Sequence, residues 1–210
     1  MDSISKKGLL DGQYFDPPYD LILELGACYL AIGKYDLARE CFDKAANMMP
    51  SDPEPYVGLG EVSLRKELFQ DAKLPFETAL RFDEGCAEAY CGLGKAYQQL
   101  GNITKAFEMY QRCYKQNKDG ARYLLGLFQV SCQLGKFSCV TEYMEDYLVR
   151  HPDDTSIMYC LITLYLRSEL FCKARDMLTD YLVLEPSNEN ATTIFRELEQ
   201  RASIKAGSRN

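Results

Sequence analysis

Apolar positions along this chain recur at three- and four-residue spacing, in stretches broken by short polar turns. In the stretch LELGACYLAIGKYDLARECFDKA, from Leu23 to Ala45, Leu25-Gly26 stands just before Tyr29, and Ala38 stands four residues before Phe42. The spacing predicts two amphipathic helices, Asp20–Ile32 and Tyr35–Met48. Gly33 sits between them, where a left-handed residue ends a helix. Pro50 stops the second helix, and Asp52-Pro53-Glu54 starts another with a cap, a first-turn Pro and a favourable acid.

The same pattern returns every 34 residues from Tyr19 to Asn188, with no insertion or deletion. The first copy carries Ile22, Leu25, Gly26, Tyr29, Ala38, Phe42, Ala45 and Pro50. At those positions the second has Tyr56, Leu59, Gly60, Ser63, Ala72, Phe76, Ala79 and Glu84, and the third Tyr90, Leu93, Gly94, Tyr97, Ala106, Tyr110, Cys113 and Lys118. The fourth departs, with Phe128 for the Gly and Val140 for the first Ala, and the fifth has Ile162 for the Gly. The small residues let two helix backbones approach, and the large ones fill the space beside them. Gly101 and Gly135 repeat the place of Gly33. Pro75 lies inside the second helix of copy two, where it removes a backbone donor and predicts a kink.

This pattern resembles the tetratricopeptide repeat family, whose signature W-x2-L-G-x2-Y, A-x3-F and P recurs every 34 residues. The resemblance implies an all-α fold, a right-handed superhelical α-solenoid of antiparallel helix pairs. It divides the chain into an N-terminal extension 1–18, five repeats (19–52, 53–86, 87–120, 121–154, 155–188), a capping helix 189–204 and a flexible tail 205–210. Ser187 and Asn188 are cap candidates for that last helix. Its Ile194, Phe195, Leu198 and Ala202 share a face, and Arg196, Glu197, Glu199, Gln200 and Arg201 give a polar outer side. Leu9, Leu10, Tyr14 and Phe15 make the extension apolar enough to fold back or to engage a partner.

The resemblance also implies that the first helix of each copy lines a concave groove. Residues not used for packing are then Asp20, Leu23, Ala27 and Leu30 in copy one, and Glu54, Val57, Glu61 and Arg65 in copy two. Copy three offers Glu88, Cys91, Lys95, Gln98 and Gln99. Copy four offers Arg122, Leu125, Gln129 and Gln133, and copy five Ser156, Tyr159, Thr163 and Arg167. Of these, Glu61, Arg65, Lys95, Gln99, Arg122, Gln129, Gln133, Tyr159 and Arg167 are the candidate partner-binding set. Long amides and Arg hydrogen-bond an extended backbone or its carboxylates. Some members of the family hold acidic chaperone tails with a Lys/Asn/Arg clamp. Here Leu23 and Ala27 stand where its first Lys and Asn would sit, which weighs against a co-chaperone.

Composition narrows the rest. The formal net charge is −7, and no basic run offers the counterion release on which phosphate-backbone binding depends. No apolar run is long enough to span a membrane, and the N-terminus lacks the pattern of a signal peptide, so the chain reads as cytoplasmic. Nine scattered cysteines with no C-x-x-C, and one His (His151), build no local zinc site; they read as reduced core thiols. Gly58-Leu59-Gly60 and Gly92-Leu93-Gly94-Lys95 sit mid-helix rather than after a strand, which fits packing and not a nucleotide loop. His151 has no nucleophile beside it in sequence and reads as a loop residue, with Asp153-Asp154 capping the next helix. The expectation is a protein without catalytic, metal or cofactor residues: an adaptor for a peptide or helix, or else a scaffold that assembles with copies of itself. An enzyme using the groove is the remote third reading.

Overall fold

The computed structural model describes residues 9–10, 13–14 and 17–207. Two short strands, β1 (Leu9–Leu10) and β2 (Gln13–Tyr14), pair antiparallel, with Leu9 opposite Tyr14. All other regular structure among the described residues is α-helical. The chain divides into two compact units, 1–100 and 101–210.

In the first unit α1 (Tyr19–Ala31), α2 (Tyr35–Met48), α3 (Glu54–Arg65), α4 (Phe69–Phe82) and α5 (Ala87–Gln99) stack in order. Each packs on the next, and the first helices of successive pairs also touch, α1 on α3 and α3 on α5. The second unit holds α6 (Ile103–Gln116), α7 (Ala121–Leu134), α8 (Ser138–Arg150), α9 (Thr155–Arg167), α10 (Phe171–Leu184) and α11 (Glu189–Gly207). They stack the same way, with α7 touching α9. Helix α11 runs into the stretch read as a flexible tail, while Ala202's side chain and residues 208–210 lie outside the described residues. The polar start of α11 is set by Asn188, not Ser187: the Asn188 side chain accepts from the Ala191 amide at 3.0 Å.

Close approach in the stack follows one device. The ring of Phe42, on α2, fills the space over Gly26 of α1 and Gly58 of α3. Phe76, on α4, does the same over Gly60 of α3 and Gly92 of α5. Both rings are buried. Each glycine in Gly58-Leu59-Gly60 therefore serves a different phenylalanine, and the pair is a packing feature. Gly126 of α7 lies under the buried ring of Tyr110 on α6. Where Phe128 and Ile162 replace a glycine, the facing residue is no longer aromatic: Met144 and Leu178, both fully buried, stand in the phenylalanine's place. Large meets small or medium meets medium, so the interior volume stays filled.

The turn inside each pair obeys a backbone rule that the residues do not all share. Gly33, Gly101 and Gly135 have φ of 75°, 76° and 67°. The same place in copies two and five is occupied by Glu67 (φ 59°) and Glu169 (φ 58°). The following amide bonds back across the end of the helix, Leu68 N to Ser63 O at 2.9 Å and Leu170 N to Tyr165 O at 2.8 Å. That closure forces the left-handed conformation whatever the side chain. Pro75 lies inside α4, which runs from Phe69 to Phe82.

Two substitutions test this account in opposite directions. Gly92→Ala puts a methyl carbon 2.1 Å from Phe76 Cζ. It should cost about 1–3 kcal/mol through overpacking, read by denaturant unfolding. Glu67→Gly should stabilise the chain by roughly 0.5–1 kcal/mol, because relief of left-handed strain exceeds the added freedom of the unfolded chain. If Glu67→Gly destabilises instead, the turn is not strained.

Candidate functional site

Residues 34 apart on successive first helices lie side by side. Glu61 on α3 and Lys95 on α5 show it directly: Lys95 Nζ donates to Glu61 Oε1 at 3.0 Å. Lys95 is exposed and Glu61 half-buried. One helical turn further on, Arg65 and Gln99 are both exposed. Glu54 and Glu88 are exposed in the first turns of α3 and α5, where the helix dipole favours an acid. The first unit's face therefore mixes signs, and its central Lys already neutralises an acid.

The second unit has the equivalent rows with different chemistry. Gln129 and Gln133 are exposed one turn apart on α7, and Arg167 is exposed in the last turn of α9. Thr163, beside Gln129 in the period, turns its hydroxyl inward to donate to Tyr159 O at 3.0 Å. Arg122 is exposed at the start of α7; its guanidinium donates to Tyr123 Oη at 2.6 Å and lies 4.8 Å from that ring's centre. These residues carry guanidinium and amide groups.

Part of the expected groove is interior. Leu23 and Cys91 are buried, at 8% and 6% exposure. Val57, Leu125 and Tyr159, at the same place in the period, are half-buried. Tyr159 packs its ring 5.6 Å from Tyr181 of α10. This row faces the helix pair, since it lies one residue after the packing position of Ile22. Leu23 and Cys91 are therefore core residues and not lining. Ala27 is exposed, and no cation stands beside it on α1.

His151 is more than a loop residue. Its ring stacks on Tyr147, 4.4 Å between centres, and Nε2 lies 3.2 Å from Asp119 Oδ1. Arg150 also pairs with Asp119, and with Asp146 at 3.1 Å. Asp154 caps α9 by accepting from the Ile157 amide at 3.1 Å and takes the Tyr147 hydroxyl at 3.0 Å. The hydrogen bond from His151, helped by Arg150, holds the Asp119 carboxyl below the usual carboxylate range. Burial, then the hydrogen bond to Asp154, pushes the Tyr147 phenol up to about 12. The cluster ties the α6–α7 loop to the α8–α9 loop within the second unit. It presents no nucleophile. Sequence reading missed it because Asp119 and His151 are 32 residues apart and nothing local joins them.

Thiols divide by position. Cys41, Cys91 and Cys113 are buried, as core thiols should be, but Cys28 and Cys172 are exposed. Burial, then the neighbouring Cys132, raises the Cys160 thiol to about 11, so it is a poor nucleophile. Among the described residues no group of three or more His, Cys, Asp or Glu could hold a metal, and no helix is long and apolar enough to cross a membrane.

Comparison with known proteins agrees with this architecture. The tetratricopeptide repeat family model matches residues 19–52 and 87–119. The chain is similar to anaphase-promoting complex subunit cut9 of Schizosaccharomyces pombe, 32% identical over 92 residues. That match covers 44% of this chain but only 14% of cut9. The solved structure of pilF from Pseudomonas aeruginosa superposes with a TM-score of 0.70 at 19% identity, covering 90% of this chain and 86% of that one. YrrB, described as a TPR protein with an unusual peptide-binding site, gives a TM-score of 0.63 at 21% identity, covering 82% of this chain and 89% of YrrB. Below 25% identity these likenesses speak for the fold alone. The repeat period, the stacked antiparallel pairs and the family model's match to two stretches fit a tetratricopeptide repeat array.

Proposed function

We propose that the chain is a non-catalytic interaction module that binds an extended segment of a partner protein along its first helices. Tetratricopeptide repeats are protein-interaction modules, and this reading places the contact on one face. The observation that carries it is that one place in the period is exposed in each unit, at Arg65 and Gln99 in the first and at Gln133 and Arg167 in the second. The neighbouring row is buried at Leu23 and Cys91 and half-buried at Val57, Leu125 and Tyr159, so these positions lie at the edge of the packed surface.

Within the face the second unit has the stronger claim. Gln133 and Arg167 set an amide and a guanidinium at the exposed ends of α7 and α9. Guanidinium groups pair with carboxylates in forked geometry, and amides match the alternating groups of an extended backbone. The preferred ligand is an extended peptide bearing acidic side chains. In the first unit Lys95 is engaged by Glu61. YrrB's peptide-binding site and cut9's place in a multisubunit complex are consistent with such a role.

Affinity capture from a native lysate, with the unaltered chain against Arg122→Glu plus Arg167→Glu, tests the assignment. The double substitution should lower capture at least about tenfold, equivalent to ~1.4 kcal/mol, with the helical signal unchanged. Undiminished capture would remove the second unit's face from the proposal. Lys95→Glu should matter less for capture. It breaks a solvated ion pair and should lower stability by no more than about 1 kcal/mol, as denaturant unfolding would show.

A further inference from the structure

The turns inside the helix pairs of copies two and five are built alike and unlike the others. Arg65-Lys66-Glu67-Leu68-Phe69 and Arg167-Ser168-Glu169-Leu170-Phe171 differ at one residue only. In copies one, three and four the same places read Ala31-Ile32-Gly33-Lys34-Tyr35, Gln99-Leu100-Gly101-Asn102-Ile103 and Gln133-Leu134-Gly135-Lys136-Phe137. Arginine, glutamate and leucine therefore arrive together or not at all. Both glutamates hold the left-handed backbone, at φ 59° and 58°, where the other copies use glycine. A residue with a side chain is strained there. Both glutamates are exposed, and neither carboxylate has a hydrogen bond or an ion pair among the described residues. Nothing on the chain offsets the strain. Arg65 and Arg167 are exposed and unpaired among the same residues, and Leu68 and Leu170 are 43% and 44% exposed.

We propose that each of these two turns reads an acid-x-base sequence in the partner segment, the arginine taking the acid and the left-handed glutamate the base. The inference rests on the reading above, of an extended acidic segment along the first helices, and adds the ligand's second charge. Strain with no return inside the chain is characteristic of residues kept for a contact outside it. A guanidinium pairs with a carboxylate, and an exposed carboxylate with a Lys or Arg. The spacing agrees. Residues two apart on the array span at most about 7 Å between α-carbons. Alternate residues of an extended ligand share one side and lie ~6.6 Å apart. The leucine after each glutamate gives the aliphatic stem of the base an apolar surface to lie on. A wholly acidic segment would set a carboxylate against Glu67 or Glu169 and be disfavoured by like charge. In the glycine copies Lys34, Asn102 and Lys136 follow the turn, so the requirement for a base belongs to copies two and five.

A random-peptide library displayed on phage is selected on the immobilised full chain and on its Glu67→Gln plus Glu169→Gln variant. Peptides taken by the unaltered chain should carry an acid and a base one residue apart, enriched about fivefold over the unselected library, the upper range for a solvated ion pair. On the variant the acid should stay enriched and the base should return to the library level. Circular dichroism should be the same for both proteins, because Gln keeps the shape of Glu. Acidic peptides selected without a base at that spacing overturn this inference and leave the acidic-segment reading standing. A base that stays enriched on the variant also overturns it. Selection of no acidic peptide removes both readings. In a second arm, Glu67→Gly plus Glu169→Gly should raise the midpoint of denaturant unfolding. The same variant should bind a selected peptide about fivefold more weakly by fluorescence anisotropy, stability gained at the expense of recognition. A glycine variant that is more stable and binds equally well overturns the inference, since the glutamates would then serve no ligand.

Discussion

Contact between an aromatic ring and a bare backbone sets the spacing of this array. Phe42 and Phe76 each reach across two glycines, one on their own copy's first helix and one on the next. A β-carbon at any of those glycines would lie under 3 Å from the ring, closer than real carbons approach. The helices stand as near as they do because the glycines are bare, and the rings fill what remains. Burying such a ring contributes roughly 1.5–3 kcal/mol, and the device links one copy to the next. Ion pairs are secondary: Lys66–Asp36, Lys95–Glu61 and Lys173–Glu145 are solvated pairs between neighbouring helices, and they adjust the surface rather than fix the stack.

Much of this was legible in the residues. The period, the helix pairs and the Gly33, Gly101 and Gly135 turns follow from spacing and turn chemistry. The place of Glu67 and Glu169 was not visible from their own preferences, because closure of the helix end imposes their backbone and Glu has no liking for it. Leu23 and Cys91 were misplaced onto an open groove for a related reason. Helical spacing tells which side of a helix a residue takes. How wide the buried arc becomes depends on the neighbouring pair, and that is tertiary information. The charge rows were readable as rows, yet the engagement of Lys95 by Glu61 needed the distance between two helices.

The two units carry the same architecture with unlike surfaces. The first mixes acids with cations and ties its central Lys within itself. The second lines its first helices with Arg and Gln, and braces its loops through Asp119, His151, Arg150 and Asp154. Packing positions are under tight steric constraint, so they are similar from copy to copy. The rows beside them face solvent and are free to differ.

The wedge of Phe42 on Gly58 also bears on how such a chain can lengthen or shorten. Gly92 stands one period after Gly58 and meets Phe76 as Gly58 meets Phe42. Excision of residues 53–86 as a block would carry Gly92 into the place left by Gly58, beneath Phe42, and no ring would lose its seat. Removal of a single residue from the same region would turn every later side chain on its helix by about 100°. Duplication and loss of whole periods are thus changes the interior does not register, whereas a one-residue slip is a change it cannot absorb.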